Sequence, residues 1–182
     1  MTAVIEELLA PHEEQLQQAG SMPGWGRRAA QDVLAETGTD MTRFPTPGHL
    51  ASWCGRTPLD KQSGARQGQR RHKRGNKYVT AVLGETAVAA GKTQTREGAR
   101  HRKICRRRGK AKAVVATGNT QIKVFHALLS SPGARYEDLG PDYYERQRDH
   151  TRRVGRLVGE LGNLGYDVTL CRKPETQDTP AA

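Results

Sequence analysis

The chemistry most evident in this sequence lies in residues 61–77, where a serine is followed by a run of basic side chains. Ser63 stands beside Gly64, and the cationic and amide residues after it are Arg66, Arg70, Arg71, Lys73, Arg74, Asn76 and Lys77. A serine hydroxyl attacks phosphorus when cations neutralise the phosphoryl oxygens as the transition state forms. Arginine suits this task because its planar guanidinium binds two phosphate oxygens at once. The segment therefore predicts phosphate binding, with Ser63 as either a nucleophile or a turn serine in a DNA-contact loop.

The positive charge of the chain is concentrated around this segment. The 182 residues carry 30 Lys and Arg against 19 Asp and Glu, a formal net charge of +11. Residues 61–112 hold 17 of the basic residues and two of the acidic ones, so the rest of the chain is net acidic. Localised basicity is the electrostatic signature of a polyanion partner. We expect nucleic acid rather than a solvated basic surface, because the run lies in the middle of the chain.

A second candidate for phosphate contact is the string Gly24-Trp25-Gly26, which lies between two predicted helices. Two helices joined by a tight Gly-x-Gly turn have the pattern of a helix-hairpin-helix. Glycines allow positive φ and close backbone approach, and the free N–H groups of such a turn suit a phosphate. The alternative is a plain turn between two helices that binds no ligand.

Other site chemistries lack support in the sequence. Neither Gly-x-x-x-x-Gly-Lys-Ser/Thr nor Gly-x-Ser-x-Gly occurs, so a P-loop ATPase or an α/β-hydrolase is not indicated. The carboxylates are too scattered to suggest a two-metal site, and we predict no cofactor and no metal site in this chain. Cys54, Cys105 and Cys171 are far apart, which argues against a zinc knuckle or a disulfide framework. No run approaches the roughly 18 apolar residues of a membrane span, so we expect no membrane partner.

The apolar pattern around the basic segment predicts a mostly α domain that holds one long basic loop or exposed hairpin. Helices are predicted at 4–18, 27–36, 49–54, 78–90, 95–108, 111–129 and 143–164, with 95–108 strongly basic. Pro11 interrupts the first of them. In the third we expect Trp53 to be a core residue rather than a stacking platform. Residues 165–170 are predicted as a strand or a coil, and the chain from Pro174 onward as disordered.

Several strings, in this order, resemble the C-terminal transposase domain of the family named after insertion sequence one-hundred-and-ten, which includes the Piv and MooV DNA invertases. The strings include Pro23-Gly24-Trp25-Gly26, Leu50-Ala51-Ser52-Trp53-Cys54-Gly55, Gln62-Ser63-Gly64, Lys73-Arg74-Gly75-Asn76-Lys77-Tyr78 and Arg107-Arg108-Gly109-Lys110. The resemblance covers about residues 15–170. Its most specific part is the Ser-Gly pair followed by the basic Gly-Asn segment.

This resemblance implies DNA transposition or site-specific recombination, in which Ser63 attacks DNA and the hairpin at Gly24 and Gly26 contacts the DNA backbone. It also implies an N-terminal RuvC-like domain, whose four acidic residues bind magnesium in family members. The chain starts where the helix linking to that domain ends, so we expect the domain to be missing and the chain to be inactive alone. The implied partners are DNA, a structured guide RNA and, for the full-length protein, further copies in a homo-oligomer. We expect a cytoplasmic location, associated with the nucleoid when DNA is bound.

The helical pattern and the resemblance together predict four segments. They are the end of a linking helix at 1–19, the transposase domain with its hairpin at 20–142, an amphipathic helix and extension at 143–170, and a disordered tail at 171–182. The alternative function is a catalytically inactive fragment that binds nucleic acid through phosphate contacts alone. A ribosome- or RNA-associated basic protein with an accidental motif is a third interpretation, which the long ordered set of strings disfavours.

Overall fold

The computed structural model describes residues 7–57, 62–63, 66–67, 75–146 and 150–171. This part of the chain is mostly helical, as the apolar spacing predicts. Its α-helices are α1 Glu13–Gly20, α2 Arg27–Thr37, α3 Pro47–Trp53, α4 Lys77–Gly91, α5 Arg96–Arg108, α6 Lys110–Leu129, α7 Tyr143–Arg146 and α8 His150–Asn163. Two short strands, β1 Gln62–Ser63 and β2 Arg66–Gln67, pair antiparallel within the basic segment.

Local sequence signals set the ends of several helices. The hydroxyls of Thr46 and Thr95 accept hydrogen bonds from backbone N–H groups in the first turns of α3 and α5, and so cap these helices. Gly109 separates α5 from α6 with a φ of 86°, a conformation that glycine adopts readily. At Pro11 the backbone takes 3₁₀ geometry over Ala10–His12 before α1 begins, which confirms the predicted interruption.

The longest described helix, α6, lies at the centre of the core and contacts α1, α3, α4 and α5. Phe125 of α6 stacks on Trp25, with the two ring centroids 5.6 Å apart. Leu50, Leu83 and Ile122 are fully buried in the same apolar cluster. Helices α1, α3, α4 and α6 therefore each contribute one apolar face to a single core, whereas α5 packs on α6 without adding a residue to this cluster. Burial of these faces is the main source of stability.

A buried amide ties the turn at residues 21–26 to the helices behind it. Gln121 of α6 donates from Nε2 to the carbonyl oxygens of Pro23 and Thr86, at 3.2 and 3.3 Å. Its Oε1 accepts from the Thr86 hydroxyl at 3.0 Å. Because all these polar atoms are paired, the network avoids the desolvation cost of buried unsatisfied groups. The turn is thereby fixed to α4 and α6 from inside the core.

The chain divides into two compact units, Met1–Tyr144 and Glu145–Ala182. In the second unit, α8 is amphipathic as predicted, and Leu157 and Leu161 on it are exposed. Residues 166–171 have no regular structure, so this stretch is a coil and not a strand. The predicted disordered tail lies outside the described residues. Among the described helices, none combines the length and apolar character needed to cross a membrane.

Candidate nucleic-acid interface

The residues before the basic segment and those near its end are in close backbone contact, at Cys54 and Gly55 on one side and Gly75 on the other. A Cβ added to Gly75 would lie 2.2 Å from the carbonyl carbon of Cys54 and 2.3 Å from the backbone nitrogen of Gly55. These distances are far inside van der Waals contact, so only glycine fits there. We call residues 54–56 and 75–76 the loop base. The loop base holds both ends of the intervening basic chain together.

Asn76 caps the helix that follows the basic segment. Its Oδ1 accepts hydrogen bonds from the backbone N–H groups of Tyr78 and Val79, at 2.9 and 3.0 Å. Its Nδ2 donates to Glu36 Oε2 at 2.6 Å and so connects the start of α4 to α2. Both ends of the amide therefore position the segment. A direct phosphate contact by Asn76 stays a prediction.

Arg56 is a buried guanidinium at the loop base, with 6% of its surface exposed. Its Nη2 donates to the Thr80 carbonyl, and its own carbonyl accepts from Asn119 Nδ2 at 2.9 Å. Burial lowers the pKa of Arg56, because the charged form is costly to desolvate, and it raises the pKa of the Cys54 thiol to about 12. Cys54 is therefore an unreactive thiol, while Arg56 and its partners join α4 and α6 to the loop base.

Ser63 lies in a short antiparallel pairing within the basic segment. The Cα atom of Ser63 is opposite that of Arg66, and Gln62 is opposite Gln67. This pairing is hairpin-like, one of the two conformations expected for the segment. The register brings the backbone positions of the predicted nucleophile and of one predicted phosphate ligand opposite each other. The other predicted ligands of this run, Arg70, Arg71, Lys73 and Arg74, lie outside the described residues.

The two glycines of the predicted hairpin turn have different surroundings. Gly24 has a φ of 77°, and an added Cβ would lie 2.4 Å from the backbone nitrogen of Ala90 and 2.5 Å from the Thr86 carbonyl oxygen. Close packing against α4 therefore requires glycine at this position. Gly26 is exposed at the N-terminus of α2, and an added Cβ would meet nothing within 4 Å. Phosphate contact at either glycine stays a prediction, and only Gly26 leaves room for a ligand at its Cα.

Trp53 is not a core residue, and the prediction from sequence was wrong. Its side chain is 38% exposed, and its ring centroid lies 5.7 Å from that of Phe44. The reason is its place in α3: Trp53 is the last residue of a seven-residue helix whose earlier residues fill the core. Its carbonyl accepts from the Asn76 N–H at 3.4 Å, and Lys77, next in the chain, is exposed. An exposed indole and an exposed ammonium therefore lie where the basic segment rejoins the helices.

Sequence reasoning missed Glu97 as a buried acid. It lies in the first turn of α5, is 2% exposed, and its carboxylate oxygens have no hydrogen-bond partner among the described residues. Burial raises the pKa of Glu97, against the lowering effect of Arg100 and Arg96. A sequence signal was available, because acids are favoured in the first turn of a helix. With this acid hidden, the exposed surface of α5 is entirely basic in its charged residues.

Comparison of the sequence with known protein families identifies the family of the segment that contains these elements. Residues 16–103 match the family model described as Transposase IS116/IS110/IS902 family. These residues form a transposase domain of the IS116/IS110/IS902 family. The match confirms the resemblance seen in the sequence strings. Within this transposase domain lie the turn at residues 21–26, the loop base and the whole basic segment, and the match ends inside α5.

One relative of this transposase domain is the "Insertion element IS110 uncharacterized 43.6 kDa protein" of Streptomyces coelicolor. The two sequences are 32% identical over 123 residues. The aligned part covers 66% of this chain and 30% of the Streptomyces protein. The chain therefore spans less than a third of the length of the relative that it matches.

Proposed function

We propose that this chain is a DNA-binding transposase domain that contributes a serine nucleophile to DNA strand cleavage and exchange of an insertion sequence. The observation that carries the proposal is the loop base. It brings Gly75 against the backbone of Cys54 and Gly55 on a packed helical scaffold, and residues 61–77 of the chain between and beside these positions include seven Lys and Arg. Loops that a rigid scaffold positions are the usual places for binding and catalytic residues.

The basic segment suits the phosphate backbone of DNA. Duplex DNA carries about one negative charge per 1.7 Å of helix axis, and Lys and Arg that replace its counterions give affinity on any sequence. Contacts of this kind fix position and orientation but do not select a sequence. We therefore infer that target choice depends on a further partner, and a structured guide RNA is the partner that the family resemblance implies.

Ser63 supplies the proposed nucleophile. Its Oγ forms a bond to phosphorus while the scissile P–O bond breaks, and the departing strand end takes up a proton as the serine loses one. Arginines of the segment, with Arg66 opposite Ser63 in register, stabilise the negative charge on the phosphoryl oxygens. The resulting phosphoserine ester conserves the energy of the broken P–O bond. A hydroxyl on a second strand end then attacks the phosphorus, transfers its proton as the serine Oγ departs, and completes the exchange.

Magnesium, which the family resemblance implies, does not fit the described residues. They contain no group of three or more His, Cys, Asp or Glu side chains that could hold a metal ion. Acidic oxygen ligands of the kind that Mg²⁺ prefers would have to belong to a separate RuvC-like domain. We propose that Ser63 reacts only in the presence of such a domain, in a homo-oligomer of the full-length protein.

Trapping of a covalent protein–DNA adduct tests the proposal. The 182-residue chain alone should leave labelled DNA uncut. With a RuvC-like domain, magnesium and a guide RNA from a family member, it should yield a DNA strand linked to Ser63, located by peptide mass spectrometry. Ser63→Ala should abolish the adduct and keep DNA binding. Ser131→Ala, which changes an exposed serine after α6, is the matched control and should keep both.

Two results of this assay would contradict the serine assignment. If Ser63→Ala leaves strand exchange intact, Ser63 is a turn residue. If the unaltered chain binds DNA but no adduct forms in the complete system, the domain is a non-catalytic module that acts through phosphate contacts alone.

A further inference from the structure

Helix α5 presents a second basic surface. Seven of its thirteen residues are Lys or Arg. Arg100 and Arg102 are tied to the fold, because their guanidinium groups donate to backbone carbonyls of α6, of α4 and of the turn before α5. Arg107 and Arg108, in the last turn, are exposed, and their side chains make no hydrogen bond or ion pair with any described residue. Their donors are therefore open to a ligand.

A cleft of about 340 Å³ lies along this surface. It is lined by Arg100, Lys103, Ile104, Arg107, Arg108 and Tyr144. We call it the α5 cleft. Its volume lies at the lower end of the range for small-ligand sites. Four cations, one aromatic ring and one aliphatic side chain, with no carboxylate among these described lining residues, suit a ligand that combines negative charge with a flat apolar ring.

Tyr144 is oriented by its neighbours. The ring of Tyr143 packs against it edge-on, with the centroids 5.2 Å apart. The guanidinium carbon of Arg96 and the Nζ of Lys103 lie 5.8 and 5.7 Å from the centre of the Tyr144 ring. Cation–π contacts at these distances are weakly attractive at exposed sites, so they favour this position of the ring. The side chain stays partly exposed, so part of it is open to a ligand.

The α5 cleft and the loop base share no residue. The loop base is formed by residues 54–56 and 75–76, whereas the cleft is lined by residues of α5 and by Tyr144 of α7. Most of the cleft, from Ile104 onward, also lies beyond the residues 16–103 that match the transposase family.

We propose that the α5 cleft binds an unpaired nucleotide of single-stranded nucleic acid. The base stacks on Tyr144, and the flanking phosphates are bound by Lys103, Arg107 and Arg108. Sites of this kind combine a positive groove with an aromatic platform, and they tolerate many sequences because every base has a π-face. A duplex engages the cations but not the ring, because its bases stay stacked on each other. The site goes beyond the proposed function, since it uses neither Ser63 nor the 61–77 segment.

Binding of labelled oligonucleotides to the full chain, followed by fluorescence anisotropy, tests this proposal. The probes are a DNA strand, an RNA strand, an abasic DNA strand and a DNA duplex with the same number of phosphates. Tyr144→Leu should weaken binding of the base-containing strands about tenfold, the scale of one base stack, and leave the abasic strand and the duplex unchanged. Tyr144→Phe keeps the ring and should bind as the unaltered chain does. The affinities for the DNA and RNA strands show which of the two the cleft prefers.

A charge-matched pair of double variants tests the cations. Arg107→Gln with Arg108→Gln should reduce the log–log salt slope for single strands by about 0.7 for each phosphate that is no longer neutralised. Arg106→Gln with Lys112→Gln removes the same charge from exposed positions outside the cleft and should have a smaller effect. Equal effects of the two pairs would overturn the proposal, as would equal affinity of the unaltered chain for abasic and base-containing strands. Substitutions in the 61–77 segment should leave the Tyr144 effect intact, which separates this site from the proposed function.

Discussion

Among single residues, substitutions of Gly24 and Gly26 distinguish a role in packing from a role in DNA contact. Gly24→Val should lower the free energy of unfolding by at least about 2 kcal/mol, because its positive φ strains a β-branched residue. The added Cβ would also overlap the backbone of α4. Gly26→Val should cost about 1 kcal/mol at a helix N-cap and leave the chain folded. It should nevertheless weaken DNA binding, because the side chain covers the N–H groups at the start of α2.

Thermal unfolding and DNA titration of both glycine variants provide the check. If the Gly26→Val chain is folded and binds DNA normally, the turn is only architectural. Nothing in the sequence around Gly24 and Gly26 indicates which of them packs against another helix. The proximity of Ala90 to Gly24 follows from tertiary packing.

Glu97 should make the stability of the domain depend on pH. Because burial raises its pKa, the folded chain keeps a proton that the unfolded chain releases from about pH 4.3 upward. The free energy of unfolding therefore falls as the pH rises from that value through the raised pKa. Glu97→Gln removes this titration and should stabilise the chain at pH 7 but much less at pH 4. Denaturant unfolding at the two pH values measures the difference, and a loss of stability at pH 7 would contradict the account.

Residue types alone predicted the apolar face of α4 but not the roles at the loop base. Val79 and Leu83 follow helical spacing, and both are buried. The role of Asn76 depends on Glu36, which lies 40 residues away in the chain. Trp53 was misjudged because hydrophobicity gives no information about the position of a residue at the end of a short helix. Contacts between distant segments are set by packing, which local patterns do not report.

At the level of elements, the contact between Asn76 and Glu36 is expected to couple the start of α4 to α2. Asn76→Asp keeps the oxygen that caps α4 but replaces the amide that donates to Glu36 with a second carboxylate. The Asp variant should lose about 1 kcal/mol of stability at neutral pH through this repulsion. Glu36→Gln in the same chain should restore most of that loss, since the new amide donates to the aspartate.

A double-mutant cycle at Asn76 and Glu36 measures this coupling. Additive effects of the two substitutions would show that the contact does not position the basic segment.

The sequence predicted the helices well. It also revealed the basic segment, but not the conformation of that segment and not the α5 cleft. Helices have a repeating apolar signal, so α4, α5 and α6 were predicted within one or two residues. The basic segment has no apolar alternation, so nothing in it decided between a loop and a hairpin. The α5 cleft had no sequence signal, because Tyr144 follows Lys103 by about 40 residues and meets it only in the folded chain.

For the whole molecule, the central claim is that the segment held by the loop base binds the DNA backbone. The logarithm of the association constant for duplex DNA should fall linearly with the logarithm of salt concentration, by about 0.9 per phosphate neutralised. Changing Arg70, Arg71, Lys73 and Arg74 to Gln together should make that slope shallower by about 3.6 and weaken binding equally on unrelated sequences.

The salt dependence of the four-residue variant, compared with a control of equal charge, is the most direct test. The control replaces four exposed cations outside the segment with Gln: Arg43, Lys92, Lys123 and Arg135. The account predicts a marked change of slope for the segment variant and a small change for the control. A nearly flat salt dependence of the unaltered chain, or the same slope change in both variants, would contradict a phosphate-binding role for the basic segment.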